Sequence, residues 1–333
     1  MIFTSPHLIC KTPLRVSLLG GGADFYKYIK RKPRYVFGMG INYSIHMNAY
    51  QMPGIIPKKS RFQYSKTEEF ESFSNIEHPV IKAVMNKYGI RQGINVSIAS
   101  DMPSGCGLGS SSAFTCGLIN LINTFNYKAI LNSELAYETI DIEQRILKEN
   151  VGIQDQILCS LGGIRLLKLE ENGFSHIFKS DLYNKIYEKL QKRSFLVYTN
   201  ISRSSSEIQE EVDKDPDKEK SIESISEIAE YFVNNHPQYD DPWPFFSECI
   251  RKSWELKSRF VLSRNKKEIE NLIQRSKDNG AEFIKLLGAG GGGFIFCSVP
   301  EEYQETFINS FKANTVFKIE PSINGSFVNT LYS

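Results

Sequence analysis

Hydrophobic and polar residues alternate along much of the first hundred positions, as they do in β-strands with one buried face. Segments of this kind lie at Lys11–Leu19, Tyr35–Tyr50, Arg61–Ser65 and Gly93–Ala99. The segment His78–Tyr88 instead has apolar residues at helical spacing. The first part of the chain is therefore expected to be mainly strands, with a helix before the last of them.

The rest of the chain alternates helical and strand patterns. We expect helices at Ser110–Phe125, Ser133–Lys148, Ser221–Asn234, Trp243–Ser263 and Lys266–Asn279, a hairpin at Gly163–Leu169 and Phe174–Phe178, and strands at Ser194–Thr199, Glu282–Leu287 and Phe294–Ser298. A basic stretch near Ser180–Lys192 is taken as the boundary between two domains, residues 1–185 and 186–333.

Composition narrows the class of protein. The 333 residues are 41% hydrophobic and 23% charged, with a net charge of +2, which gives no support to a nucleic-acid or membrane partner. The first residues lack the basic start and long apolar core of a signal peptide. The six cysteines are scattered without zinc spacing, which favours reduced thiols in the cytoplasm. A metal site would have to be built from oxygen ligands.

The stretch Asp101–Ala113 carries the clearest chemical signal. Gly105, Gly107 and Gly109 precede three serines at the start of an apolar helix. Glycines let the backbone approach an anion, and a helix N-terminus offers free N–H groups and partial positive charge. The segment matches neither a Walker A loop nor the Rossmann fingerprint. We interpret it as a phosphate-binding loop; the alternative is a Gly/Ser turn whose serines cap the helix.

Other polar landmarks allow two readings each. Asp24 follows three glycines and either meets a ligand or caps a helix, and Asp155 is either functional or stabilised by a helix N-terminus. Arg203, beside several serines, either holds a phosphate or is a solvated surface charge. The glycine run from Gly288 to Gly293 is either a close approach of backbone to another group or a flexible turn.

Taken together, the glycine landmarks resemble the GHMP kinases over nearly the whole chain. Pro13–Asp24, Pro103–Ala113 and Gly288–Phe294 resemble the first, second and third family motifs. The resemblance implies an α+β GHMP kinase fold, with an N-terminal lobe like domain 2 of ribosomal protein S5 and a C-terminal ferredoxin-like lobe. It also implies an ATP- and Mg²⁺-dependent kinase of a small molecule.

The resemblance further implies roles for individual residues. Asp155 would be the catalytic base and Arg15 its cationic partner, while Ser111 and Glu143 would hold Mg²⁺. The ATP phosphates would contact Pro103, Ser104, Gly105, Cys106, Gly107, Leu108, Gly109, Ser110, Ser111 and Ser112. The substrate would contact Gly21, Gly22, Asp24, Arg203, Ser204, Gly290 and Gly291.

One departure bears on the substrate. Many family members have Gly-Glu-His in the first motif, whereas this chain has glycine at 20, 21 and 22. This departure speaks against galactokinase activity and leaves room for a bulkier sugar phosphate. Gly20–Asp24, Ile142–Gln156 and Thr199–Ile208 are similar to kinases of D-glycero-D-manno-heptose 7-phosphate. One alternative is a kinase of an unphosphorylated sugar such as L-fucose, and another is a non-catalytic sensor of sugar and ATP. A homodimer is compatible with each of these functions.

Overall fold

The computed structural model describes residues 7–51, 59–90, 93–177, 180–201, 217–260, 263–288, 290–313 and 315–331. The strands in these ranges are β1 (His7–Leu19), β2 (Arg34–Gln51), β3 (Ser60–Gln63), β4 (Thr67–Phe70), β5 (Ile94–Ser100), β6 (Ile164–Glu170), β7 (Gly173–His176), β8 (Ser194–Tyr198), β9 (Phe283–Leu286), β10 (Phe294–Ser298), β11 (Val316–Lys318) and β12 (Phe327–Leu331).

The α-helices in the same ranges are α1 (Tyr26–Ile29), α2 (Pro79–Tyr88), α3 (Ser110–Phe125), α4 (Asn132–Ile140), α5 (Gln154–Leu161), α6 (Ser180–Arg193), α7 (Lys218–Asn235), α8 (Trp243–Lys257), α9 (Ser263–Asp278) and α10 (Gln304–Asn309). Helix α4 continues into a π-helical turn, Asp141–Ile146. Short 3₁₀ turns lie at Phe73–Asn75, His236–Gln238, Ser258–Phe260 and Glu301–Tyr303.

The first sheet is built around the long strand β2. Its strand order is β12-β1-β2-β5-β3-β4, and β2 also pairs with β6, which pairs with β7. One edge of β2 pairs with β1. Along its other edge, the first part of β2 pairs with β6 and the last part pairs with β5. Strand β1 is buried along most of its length, and it ends at Leu19, directly before the first glycine turn.

The second sheet has the order β11-β8-β10-β9 and is antiparallel throughout. Ile269 of α9 and Phe307 of α10 are fully buried in the same apolar cluster as Phe195 of β8. Burial of one such side chain contributes about 1.5–3 kcal/mol. The two halves also share a core, because Phe37 of β2 packs edge-on against Phe232 of α7 and Phe246 of α8.

The observed elements agree with the sequence pattern where the apolar period is regular, as in α3 and β10. Two helices differ from expectation. The helix expected at Ser133–Lys148 changes to a π-helical turn after Ile140, and α8 ends at Lys257 and not at Ser263. Helix α6 spans the stretch at which the domain boundary is predicted. Strand β12 returns to β1, so the first sheet also includes residues from the end of the chain. The boundary at 185/186 stays a prediction.

None of the helices in the described ranges combines the length and the apolar character needed to cross a membrane.

Candidate active site

The loop before α3 has the conformation of an anion cradle. Gly105, Gly107 and Gly109 have φ values of 71°, 79° and 70°, in the left-handed region that glycine adopts without strain. Gly109 is the N-cap of α3, and none of the described side chains caps the helix. The first N–H groups of this helix are therefore open to an anion, which favours the phosphate-binding interpretation over serine capping.

Arg15 anchors this loop to β1. Its backbone N–H donates to the carbonyl oxygen of Leu108 at 3.0 Å, and its Nη1 donates to the carbonyl oxygen of Gly107 at 2.5 Å. A side chain at position 109 would collide with Arg15, since an added Cβ would lie 2.8 Å from Arg15 Cγ. Glycine at 109 therefore allows the arginine to lie directly under the loop.

The same arginine holds Asp155, in the first turn of α5. Arg15 Nε donates to Asp155 Oδ1 at 2.6 Å, and Arg15 Nη2 donates to Asp155 Oδ2. Burial opposes the charge of Arg15, but the adjacent Asp155 carboxylate outweighs burial and raises the pKa of the guanidinium. The two-point contact fixes the carboxylate plane beside the phosphate loop, and a quarter of the Asp155 side chain remains exposed.

Asp24 organises the start of α5. Its Oδ1 accepts from the Gly22 N–H at 2.9 Å, and its Oδ2 accepts from the Gln154 N–H at 3.1 Å. Burial and the nearby Asp155 raise the pKa of Asp24. An added Cβ at Gly152 would lie 1.9 Å from Asp24 Oδ2, so glycine is required there. The carboxylate thus joins the first glycine turn to the helix that carries Asp155, and its contact with substrate stays a prediction.

Glu143 lies in the π-helical turn and is 1% exposed. Its Oε2 accepts from Ser112 Oγ at 2.9 Å and from Gln156 Nε2 at 2.5 Å. Its Oε1 is buried, and no hydrogen-bond partner for it lies among the residues that the structure describes. Burial raises the pKa of this carboxyl to about 7. A π-helical turn at this position is consistent with a functional role, since such turns are frequent at functional sites.

The donor set around Glu143 fits a magnesium ion. The unpartnered Oε1 is an oxygen ligand of the kind that Mg²⁺ prefers, and Mg²⁺ usually takes one or two carboxylates together with phosphate oxygens and water. Within the described residues, no group of three or more His, Cys, Asp or Glu side chains could form a complete protein cage. Glu143 would be the carboxylate ligand of this ion. Ser111, which is exposed, stays the predicted hydroxyl ligand. The serine that contacts Glu143 in the structure is its neighbour Ser112.

The third glycine run packs against the phosphate loop backbone to backbone. An added Cβ at Gly288 would lie 2.7 Å from Gly107 Cα, and one at Gly293 would lie 2.3 Å from the carbonyl oxygen of Cys106. The Phe294 N–H donates to that same Cys106 oxygen at 3.2 Å. The glycines therefore let the backbone of the run lie directly against the backbone of the phosphate loop, which is the first of the two interpretations of the run given above. Through this contact, the run connects the second sheet to the phosphate loop.

Two lysines that the sequence analysis did not single out also reach this region. Lys257, the last residue of α8, donates from Nζ to the carbonyl oxygen of Gly288 at 2.7 Å, and Lys285 donates to the carbonyl oxygen of Leu18 at 2.8 Å. Burial lowers the pKa of Lys257 to about 8 and that of Lys285 well below its usual value. Neither lysine lies in a glycine motif, and their positions follow from packing between distant segments.

The remaining predicted residues are distributed as follows. Pro103, Ser104, Gly105 and Ser111 are exposed, Gly107, Gly109 and Ser110 are half-buried, and Cys106, Leu108, Ser112, Gly21, Gly290 and Gly291 are buried. An added Cβ at Gly22 would meet no atom within 4 Å in the described part of the chain, which leaves space beside this turn. Arg203 and Ser204 lie outside the described residues, and their role stays a prediction from the sequence.

Comparison with known proteins places this site in a family. The pattern described as "GHMP kinases N terminal domain" matches residues 75–163, and that described as "GHMP kinases C terminal" matches residues 244–315. The two matches cover the phosphate loop, Glu143, Asp155 and the third glycine run. The chain belongs to the GHMP kinase family. It is therefore an ATP-dependent phosphotransferase that acts on an alcohol group.

Individual relatives differ in what they phosphorylate. The chain is 27% identical to the D-glycero-alpha-D-manno-heptose 7-phosphate kinase of Campylobacter jejuni, over 91% of this chain and 92% of that protein. It is 27% identical to the L-fucokinase/L-fucose-1-P guanylyltransferase of Bacteroides fragilis, over 78% of this chain and 26% of that protein. It is 26% identical to the mevalonate kinase of Methanocaldococcus jannaschii, over 68% of each.

Solved structures confirm the GHMP kinase fold. A crystal structure titled as a D-glycero-D-manno-heptose 1-phosphate kinase from Bacteroides thetaiotaomicron matches with a TM-score of 0.76 at 18% identity, over 98% of this chain and 100% of the other. The mevalonate kinase structure from Methanocaldococcus jannaschii matches with a TM-score of 0.74 at 22% identity, over 95% and 98%. At these identities the likeness concerns the fold alone, which the sequence analysis had predicted.

Proposed function

We propose that this GHMP kinase transfers the γ-phosphoryl group of ATP to the anomeric hydroxyl of D-glycero-D-manno-heptose 7-phosphate. The product would be the 1,7-bisphosphate, a precursor for nucleotide-activated heptose and surface polysaccharide. The similarity to the Campylobacter jejuni enzyme over nine-tenths of both chains supports this substrate. The open space beside Gly22 is compatible with a large acceptor.

The contact between Arg15 and Asp155 carries the chemical part of the proposal. Asp155 would accept the proton of the attacking hydroxyl as the new P–O bond forms and the bond to ADP breaks. Arg15 donates to both carboxylate oxygens and fixes the plane of the carboxylate. The open N-terminus of α3 would bind the ATP phosphates, and Mg²⁺ held by Glu143 would supply charge neutralisation between them.

The second phosphate of the proposed substrate also needs a cationic partner. On the sequence, Arg203 with Ser204 is our proposal for that partner. Replacement Arg203→Ala should raise the KM for the sugar 7-phosphate at least about tenfold, as expected for loss of a charge-assisted contact. An unchanged KM would remove Arg203 from the proposal without affecting the phosphoryl-transfer site.

The alternative is kinase activity on an unphosphorylated sugar, favoured by the similarity to the L-fucokinase of Bacteroides fragilis. ADP release with ATP and Mg²⁺ should be measured with heptose 7-phosphate, free heptose, L-fucose, galactose and mevalonate as acceptors. We expect turnover with the 7-phosphate and little with the other four. Preferred turnover of a free sugar would refute the heptose phosphate assignment and leave the kinase chemistry in place.

A further inference from the structure

Lys257 lies beside the two glycine loops that form the phosphoryl-transfer site. Its Nζ donates to the carbonyl oxygen of Gly288 at 2.7 Å, and Gly288 packs on Gly107. Gly107 in turn accepts a hydrogen bond from Arg15, which holds Asp155. A continuous series of short contacts therefore connects the Lys257 amine to the proposed catalytic base.

The charge of Lys257 is incompletely matched by the protein. A lysine ammonium group has three N–H donors. Among the described residues, the acceptor for this amine is a single carbonyl oxygen, that of Gly288. In the described part of the chain, no carboxylate lies within salt-bridge distance of this amine. Asp24 and Asp155 act on Lys257 at longer range and favour its charge, whereas burial and Arg15 disfavour it.

Arg15 and Lys257 both disfavour the charge of Lys285, and Arg15 also disfavours that of Lys257. The carboxylates of Asp24 and Asp155 favour the charges of Arg15 and Lys257. Grouping like charges in a partly buried site is unfavourable unless an anion completes it. A purely structural hydrogen bond to Gly288 would not need a charge. Arg15 is paired with the Asp155 carboxylate, whereas Lys257 contacts a neutral carbonyl oxygen, so the Lys257 amine is available to an anionic ligand.

We propose that Lys257 contacts the phosphoryl group during its transfer, opposite Arg15 and Asp155 across the glycine loops. This inference rests on the proposed role of Asp155 as the base. The amine is connected to the Arg15–Asp155 pair through Gly288 and Gly107, so it belongs at the reacting end of the acceptor. In a sugar 7-phosphate the phosphate is carried on C7 and the reacting hydroxyl on C1, so contact with the second phosphate is the competing assignment that the kinetics must separate.

The test uses two substitutions that separate charge from hydrogen bonding. Lys257→Gln keeps an N–H donor for Gly288 and removes the charge, and Lys257→Arg keeps the charge. We expect Lys257→Gln to lower kcat by roughly 10²–10³-fold, as for loss of one donor to transition-state charge. The KM values should change less than about threefold, and Lys257→Arg should recover at least about tenfold of the loss. Lys252→Gln, on an exposed site of the same helix, is the matched control and should retain wild-type kinetics.

Two kinetic outcomes would overturn the proposal. An unchanged kcat in Lys257→Gln would show that the lysine only donates a hydrogen bond to the Gly288 carbonyl oxygen and has no part in phosphoryl transfer. A raised KM for the sugar phosphate with kcat retained would assign it to the substrate's own phosphate. All of these assays use the sugar that the wild-type enzyme phosphorylates fastest. If that sugar is not heptose 7-phosphate, the acceptor panel with the wild-type enzyme shows it. The comparison between wild type and the Lys257 variants is then still valid.

A second measurement covers the case in which Lys257→Gln does not fold. In wild-type enzyme with ¹³C-labelled lysine, the Lys257 side-chain signal is assigned by its loss in Lys257→Arg. We expect this signal to shift with Mg²⁺, ADP and aluminium fluoride, which mimic the transferring phosphoryl group, and to change little with Mg²⁺ and ADP alone. Identical spectra under both conditions would contradict the proposal.

Discussion

Replacing Gly107 by alanine tests whether the contact between the two glycine loops supports phosphate binding. Position 107 has a φ of +79°, and an added Cβ would lie 2.7 Å from the carbonyl oxygen of Leu287 and 2.9 Å from the Gly288 nitrogen. Both of these atoms are backbone, so neither can move aside as a flexible side chain would. The loops must therefore separate to accommodate the methyl group.

The size of the effect follows from two contributions. A left-handed backbone conformation costs a non-glycine residue about 1–2 kcal/mol, and overpacking against fixed neighbours costs about 1–3 kcal/mol more. We therefore expect Gly107→Ala to lower the free energy of unfolding by about 2–5 kcal/mol. Since a displacement of about 1 Å in a positioning group can cost 10²-fold in rate, kcat/KM for ATP should fall by about that factor.

Gly89→Ala is the matched control. Gly89 ends α2 with a φ of +61°, and an added Cβ there would meet no atom of the described residues within 4 Å. This variant should lose only the conformational contribution, about 1–3 kcal/mol for this backbone region, and should keep wild-type kinetics. Urea unfolding and steady-state assays with ATP compare the two variants. Equal destabilisation of both, or a Gly107→Ala enzyme with wild-type kcat/KM for ATP, would refute the reasoning.

Three further substitutions test the site and the buried charges. Asp155→Asn should lower kcat at least about 10³-fold while ATP binding measured by calorimetry persists, because the base is lost and the phosphate loop is retained; retained turnover would contradict its role. Glu143→Gln should raise the Mg²⁺ concentration required for half-maximal activity at least about tenfold, and an unchanged Mg²⁺ dependence would exclude Glu143 as a ligand. Lys285→Met tests a buried amine. Because the pKa of Lys285 is lowered in the folded state, the unfolded state binds more protons, and stability should rise with pH between that lowered pKa and the ordinary 10.5. The unfolding free energy of wild type relative to Lys285→Met should therefore increase from about pH 7 to about pH 9.5, and a constant difference would contradict this.

Local patterns predicted much of the fold. Helix α3 begins and ends where its apolar period does, and the strand β10 follows a continuous apolar run. The family resemblance supplied the overall architecture, which the matching structures confirm. Pairing of β12 with β1 was not predicted, because it joins residues more than three hundred positions apart and no local period encodes such a partner.

In the candidate site, too, some features follow from local sequence patterns and others depend on contacts between distant segments. The glycine loops could be predicted because glycine spacing is a property of the sequence, whereas Lys257 carries no such signal. Its place in the site follows from the contact between α8 and the third glycine run, and the hydrogen bond from Gln156 to Glu143 likewise depends on tertiary structure. The choice between ligand contact and helix capping for Asp24 also depends on tertiary structure, and its two backbone hydrogen bonds give it a structural role.

The most direct test of the proposed function is the identity of the product. The enzyme should be incubated with ATP, Mg²⁺ and D-glycero-D-manno-heptose 7-phosphate, and the mixture followed by ³¹P NMR. We predict a new phosphate signal coupled to the anomeric proton, formed at the same rate as ADP, while the signal of the 7-phosphate persists. ADP formation without an anomeric phosphate, or no reaction with this sugar alongside turnover of another, would contradict the proposal.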